Sequence, residues 1–391
     1  MILFEEALEK VQQSGQTLGT LTVPFTESVG KVLAADVVSD MNMPPFDKSA
    51  MDGYACRRQD LAHELTVIET VQAGAFPLKK VGKDTCIKIM TGAPVPEGAD
   101  TVIMVEHTRS LPGNKIVFLK ERSKPNICKM AEDVREGEVV LKRGTLLRPR
   151  HIPVLASVGA TEVRVYKSPE IAIIATGNEL VEPWQKPDRS QIRNSNAYQL
   201  AAQSQQLGLH VKYSGWAKDT REDLEALIKK AGQTADIVIL TGGVSMGDFD
   251  FVPDVLRKTG VKVLFHGVHA KPGKRTLFGV REKQWFVGLP GNPVSSFVQF
   301  EMLVKPLIFK IMGAEVPPVA LKLPLNDAYR RKNAERKAFL PVTITKSGRV
   351  KQIEYHGSAH INALSSARGL MIVEKGVNVL NKGDLVDVRP I

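Results

Sequence analysis

The sequence predicts a multidomain protein of α/β plus β class, organised around a doubly wound α/β domain. All-apolar runs at Ile171–Ala175, Ile237–Leu240 and Trp285–Leu289 each stop at a polar or glycine-bearing turn, as buried parallel strands do at a ligand-facing sheet edge. Between residues 171 and 312 such runs alternate with helical patterns, the signature of an α/β sheet. On either side the pattern shortens to β-like runs punctuated by Gly and Pro. A chain of 391 residues is in any case too long for one core.

In chain order, Leu3–Ser14 carries Phe4, Ala7, Leu8 and Val11 at helical spacing, with Gly15 as a stop, and Thr22–Val38 reads as extended. The next stretch, MPPFDKSAMDGYA from Met43 to Ala55, has no periodicity. Pro44 and Pro45 hold it extended while Asp47, Ser49, Asp52 and Tyr54 gather polar atoms around Gly53, so it is a surface loop or a binding loop. Strand-like runs follow at Leu65–Val71, Thr85–Met90, Thr101–Glu106 and Lys115–Leu119, a small β-barrel-like pattern. Within it TGAPVPEGAD, Thr91–Asp100, is a proline-fixed turn opened by a hydroxyl. Glu132 and Asp133 form a later acidic pair, and Val140–Val165 reads as a second β and turn region.

The α/β stretch then gives strand Ile171–Ala175 with Thr176, Gly177, Asn178 and Glu179, and a helix from Asn194 to Leu207 closed by Gly208. Strand Val211–Trp216 precedes Asp219, and Thr220 caps a helix to Ala231. Strands Ile237–Leu240, Val261–Phe265 and Trp285–Gly288 lead to a helix from Val294 to Met312. Gly313, Pro317 and Pro318 mark a linker, and Leu321–Ile391 alternates as a separate small β-domain.

Composition narrows the function classes. No apolar run approaches the roughly 20 residues needed to span a bilayer, so a cytoplasmic protein without a membrane partner is expected. Cys56, Cys86 and Cys128 are odd in number and never paired as C-x-x-C, which supports neither a disulfide framework nor a zinc site. The net charge of +11 is concentrated at the carboxyl end. No helix-turn-helix, RNP-type or Cys/His finger pattern accompanies it, so an electropositive mouth for a small polyanion is expected rather than a nucleic-acid partner.

The chemistry gathers at the strand ends. Gly242 and Gly243 open TGGVSMGDFD, whose Ser245 completes G-x-S-x-G and whose Asp248 and Asp250 follow in the same turn. A serine nucleophile lacks partners here, since Pro253 interrupts the following helix and His266 and His269 arrive too early; an anion cradle of glycine amides accounts for the same residues. Lys271 and Lys274 bracket Pro272 and Gly273 as phosphate-binding candidates, and GLPGNP supplies Pro290 and Pro293. Glu179, Asp219 and Asp250 each follow a strand and are candidate ligands for Mg²⁺ shared with phosphate oxygens.

SAMDGYA, TGAPVPEGAD, ATGNEL, TGGVSMGDFD, KPGK and GLPGNPVSSF, in this order, closely resemble the molybdopterin molybdotransferases, the family of bacterial MoeA, plant Cnx proteins and the gephyrin E-domain. The resemblance covers nearly the whole chain. It implies an enzyme that takes adenylylated molybdopterin and molybdate, cleaves the phosphoanhydride with Mg²⁺, and yields molybdenum cofactor and AMP. It also implies a homodimer whose cleft draws on both copies, with a molybdopterin adenylyltransferase and molybdoenzyme maturation proteins as further partners. By domain it implies a small discontinuous one (20–38 and 138–167), a β-rich one (39–137), an adenylyltransferase-like doubly wound one (1–19 and 168–312) and a carboxyl-terminal β-barrel (313–391). Asp52, Thr91, Asp133, Glu179, Asp219 and Asp250 match the family's functional acids and hydroxyl; Lys271, Pro290 and Pro293 match its substrate-binding set, and Ser358 matches a serine-rich segment loosely. Cys128 and Ala131 stand where the family usually has arginine and glycine, and Gly267 where some members have lysine. The rival readings are a molybdopterin adenylyltransferase and a non-catalytic scaffold that binds cofactor.

Overall fold

The computed structural model describes residues 1–244, 250–314 and 320–391. The expected linker prolines Pro317 and Pro318 lie outside them. The chain forms two compact units, one of residues 1–35, 144–148 and 164–391, the other of residues 36–143 and 149–163.

The smaller unit is built on a six-stranded mixed sheet. Its strands lie in the order Thr101–Met104, Gly53–Cys56, Thr85–Ile89, Leu65–Val71, Lys115–Phe118 and Thr108–Leu111. Side chains alternate across it as a pleat requires: Tyr54 and Cys56 enter one apolar cluster with Leu65, Cys86, Ile103 and Ile116, while Ala55 enters another with Val71, Ile87, Ile89 and Val102. The region expected to be only β and turn contains a short helix, Ile152–Ser157, which buries Leu155.

The larger unit contains a second six-stranded sheet, in the order Val211–Ala217, Ile171–Thr176, Ile237–Thr241, Gln284–Leu289, Leu277–Arg281 and Lys262–His266. The first four strands are parallel, and Leu277–Arg281 alone runs antiparallel to both of its neighbours, so the sheet is mixed rather than purely parallel. Its central strands are apolar throughout because both faces are covered. Ile171, Ile173, Ile237 and Ile239 pack among residues of helices Phe4–Ser14, Asn196–Gln205 and Pro293–Gln299. Ala172, Ile174, Val238 and Leu240 pack among those of Arg221–Gly232 and Val252–Lys258. Fully burying each such aliphatic side chain stabilises the fold by about 1.5–3 kcal/mol. Thr220 caps its helix as expected, its side chain accepting from the Asp223 amide.

Two further expectations change in detail. The single helix from Val294 to Met312 is broken by a π-helical stretch, Phe300–Val304, between helices Pro293–Gln299 and Lys305–Ile311. Ala270–Lys271, expected only as part of a phosphate loop, is a strand that pairs in parallel with Lys337–Ile344 of the carboxyl-terminal sheet. That sheet buries Leu325, Ala338, Val342, Met371, Val386 and Val388. Among the described residues no helix is long and apolar enough to cross a membrane.

Candidate active site

Each unit assembles its own group of the residues singled out in the sequence. In the larger unit they meet at the carboxyl ends of the parallel strands, where an α/β sheet presents its ligand crevice. A cleft of about 890 Å³ opens there, lined by Glu179, Asp219, Asp250, Gly242, Gly243, Pro290 and Pro293 among others.

The turns that shape it follow from local sterics. Gly242 has φ +93°, and a Cβ there would stand 2.6 Å from the Thr176 carbonyl oxygen, so only glycine lets the two strand ends approach. Gly177, at φ +145°, is approached by the Glu179 carboxylate, which a Cβ would meet at 2.6 Å. Asn178 and Asp219 clasp each other: the Asn178 amide donates to Asp219 Oδ2 at 3.1 Å, and the Asp219 amide donates to Asn178 Oδ1 at 3.1 Å. His266 Nε2 meets the Val244 carbonyl at 2.7 Å.

Sequence reasoning missed several lining residues. Asn196 ties two of the strand ends together, donating to Thr241 Oγ1 at 3.0 Å and to the Gly291 carbonyl at 2.7 Å. Its only signal was an Asn-Ser-Asn run at a helix start. Asn194 caps that helix by accepting from the Ala197 amide at 3.2 Å. The cationic lining comes from Arg193 and Arg275. Lys271 and Lys274 are exposed and are not part of this lining, because Lys271 is drawn into the carboxyl-terminal sheet opposite Ala338. Ser358 is pinned beside the cleft, its Oγ accepting from Asn292 Nδ2 at 2.9 Å and its carbonyl from the Val294 amide at 3.1 Å. Its neighbours Ala359 and Ile361 line the cavity. Ser245 and Asp248 lie outside the described residues.

The cleft acids suit a hard cation. Among the described residues, the group of three metal-type side chains with ligand atoms within 4.8 Å of one another is Asp60, His63 and Asp84, where Arg57 already pairs with Asp60 at 3.1 Å. Glu179, Asp219 and Asp250 therefore stand further apart than that. Magnesium retains several waters and takes one or two carboxylates plus substrate phosphates, so an open, all-oxygen set fits it.

In the smaller unit three separated motifs converge. Ser49 pairs with Ile127 and Lys48 with Cys128, while the Gly92 amide donates to the Ser49 carbonyl at 2.8 Å. The Asp133 amide donates to the Met43 carbonyl at 3.0 Å, which places Asp133, itself exposed, at the edge of this group. Asp47 accepts from Lys129 Nζ and the Met130 amide, both at 2.8 Å, and these bonds, the lysine's first, hold its carboxyl below the usual range. Asp52 accepts from the Thr91 amide at 2.6 Å and the Thr91 hydroxyl at 2.8 Å, and its pKa is likewise lowered, by the amide first. Gly53 opens a strand, and a Cβ there would collide with the Ile103 carbonyl.

Comparison with known proteins places this geometry. Family models match for the MoeA N-terminal region (domain I and II) over residues 2–159, a probable molybdopterin binding domain over 172–310 and the MoeA C-terminal region (domain IV) over 322–391. A molybdopterin molybdenumtransferase of Staphylococcus aureus (strain Mu50) is 34% identical over 397 residues, covering 98% of this chain and 94% of its own. The chain belongs to the molybdopterin molybdenumtransferase family. A Staphylococcus epidermidis member is 33% identical, with 99% of this chain and 95% of its own covered. The crystal structure of the molybdopterin biosynthesis MoeA protein from Pyrococcus horikoshii superposes with TM-score 0.85 at 31% identity, covering 100% of both chains. The molybdenumtransferase fold thus accounts for both mixed sheets and for the carboxyl-terminal β-domain.

Proposed function

We propose that this chain inserts molybdenum into molybdopterin, taking adenylylated molybdopterin and molybdate and releasing AMP. The observation that supports this best is the cleft itself: three carboxylates, glycine turns and two arginines at the carboxyl ends of parallel strands. Asp250, with Glu179 or Asp219, would hold Mg²⁺, which when bound supplies charge neutralisation to the pyrophosphate. The chain's own groups do the positioning. Gly242 and Gly243 admit the nucleotide phosphates close to the backbone, Arg275 and Arg193 offset phosphate charge, and the Asn178–Asp219 clasp fixes one acid in place. In this reading Asp52, Thr91 and Asp133 form the functional group of the smaller unit, Ser358, Lys271 and Lys274 contact substrate outside the cleft, and the protein works as a cytoplasmic homodimer.

The test is release of AMP from adenylylated molybdopterin by purified protein with Mg²⁺ and molybdate, with Asp250→Ala as the control. Full activity in that variant would remove the metal assignment. Consumption of ATP with free molybdopterin, independent of molybdate, would select an adenylyltransferase instead. Sedimentation at assay concentration tests the homodimer.

A further inference from the structure

The cleft arginine Arg275 follows a loop whose path is set from inside the core. Gln299, fully buried, ends the helix Pro293–Gln299 where the π-helical stretch begins. Its Nε2 donates to the Pro272 carbonyl at 2.9 Å. Gly273 has φ +107° and lies so close to the Gln299 amide and stem that a Cβ there would overlap them. The Gly273 carbonyl in turn accepts from Thr276 Oγ1 at 2.8 Å. The turn from Pro272 to Thr276 is thereby fixed at both ends, and Arg275 is the side chain it delivers to the cavity.

The arrangement is costly in isolation. Gln299 Oε1 is buried with no hydrogen-bond partner, so the desolvation of this amide is offset only through its Nε2 bond to the Pro272 carbonyl. An amide retained there despite that penalty calls for a return elsewhere. We infer that Gln299 is a positioning residue for substrate binding: its amide sets the 272–276 turn so that Arg275 presents its guanidinium to the substrate's phosphate groups. This rests on the reading of the cleft as a phosphate site.

The decisive variant is Gln299→Met, which keeps the stem against Gly273 and removes the donor; Gln299→Leu serves if the first does not fold. Three measurements are made on the full-length protein. Amide hydrogen exchange over residues 270–277, without substrate, is expected to rise at least tenfold in Gln299→Met, well beyond any rise in the core strand Ile237–Thr241, because the Pro272 carbonyl loses its donor. In the AMP-release assay Gln299→Met is expected to raise KM for adenylylated molybdopterin about three- to tenfold with kcat nearly unchanged, and Arg275→Ala to raise it more. In the double variant the Gln299 change is expected to add nothing to Arg275→Ala, because both act through one guanidinium. Unchanged exchange in the 270–277 turn, or full additivity of the two substitutions, overturns the inference. A wild-type protein that releases no AMP instead overturns the reading on which it rests, and the exchange measurement still decides whether Gln299 sets the turn.

Discussion

Asp52 and Thr91, 39 residues apart, are joined by two hydrogen bonds to a single carboxylate oxygen, one from the Thr91 amide and one from its hydroxyl. Both favour the charged carboxylate, so the Asp52 pKa lies below its ordinary value. A depressed carboxyl pKa contributes stability above the unfolded-state value and loses it as pH falls through the folded-state value. Thr91→Val removes only the hydroxyl bond. The Asp52 carboxyl, followed by ¹³C NMR, is expected to titrate at higher pH in that variant yet still below a free aspartate, because the amide remains. An unmoved titration would show that the hydroxyl bond is not made in solution.

The reciprocal clasp of Asn178 and Asp219 separates structure from charge in one acid. Asp219→Asn keeps an acceptor for the Asn178 amide but removes the negative charge from the cleft. Its stability is expected to stay within about 0.5 kcal/mol of wild type, whereas Asp219→Ala loses a hydrogen bond and falls by about 0.5–1.5 kcal/mol. The Mg²⁺ concentration for half-maximal AMP release is expected to rise several-fold in both. An unchanged Mg²⁺ dependence in Asp219→Asn would exclude Asp219 from the metal set.

Much of this was legible because burial on two faces leaves an uninterrupted apolar run. Ile171–Thr176 and Ile237–Thr241 are buried at every position, and the acids that follow them are carried to one sheet edge by topology alone. The antiparallel strand Leu277–Arg281 was not read, since its short run sits directly behind a loop crowded with lysines. Nothing local distinguishes Lys271, Lys274 and Arg275 as cations. The choice between them is made by Ala338, a distant strand partner of Lys271, and by Gln299 beneath Gly273. The π-helical break was equally hidden, its one polar member, Glu301, being buried against Gln203 and Lys305.

Ala131 occupies a left-handed backbone position, φ +60°, in the segment that closes on Pro44 through its amide at 3.0 Å. Glycine here avoids the roughly 1–2 kcal/mol that a Cβ costs in that conformation but gives back about 0.5–1 kcal/mol in unfolded-state entropy. Relief is the larger effect. Ala131→Gly is expected to stabilise the smaller unit by about 0.5–1 kcal/mol, read as a higher denaturation midpoint at constant slope. A lower midpoint would mean that the backbone does not hold this conformation in solution.

The three thiols give a test of the smaller unit's packing. Burial first, with Cys86, Asp100 and Asp60 adding charge repulsion, pushes the Cys56 thiol up to about 12, and burial alone does the same for Cys86. At pH 8 each then carries roughly three orders of magnitude less thiolate than a free cysteine, before any steric protection is counted. Cys128 is only partly buried; its pKa is raised by burial first and then by its hydrogen bond to Glu132. Native protein is therefore expected to react with a disulfide reagent at one thiol per chain, the other two appearing only on unfolding. Glu132→Gln removes the negative charge that opposes ionisation of Cys128 and is expected to speed that single reaction. Two or three fast thiols in the native protein would contradict the buried placement of Cys56 and Cys86, and with it the register that sets Ala55 opposite Ile87 in the sheet beside them.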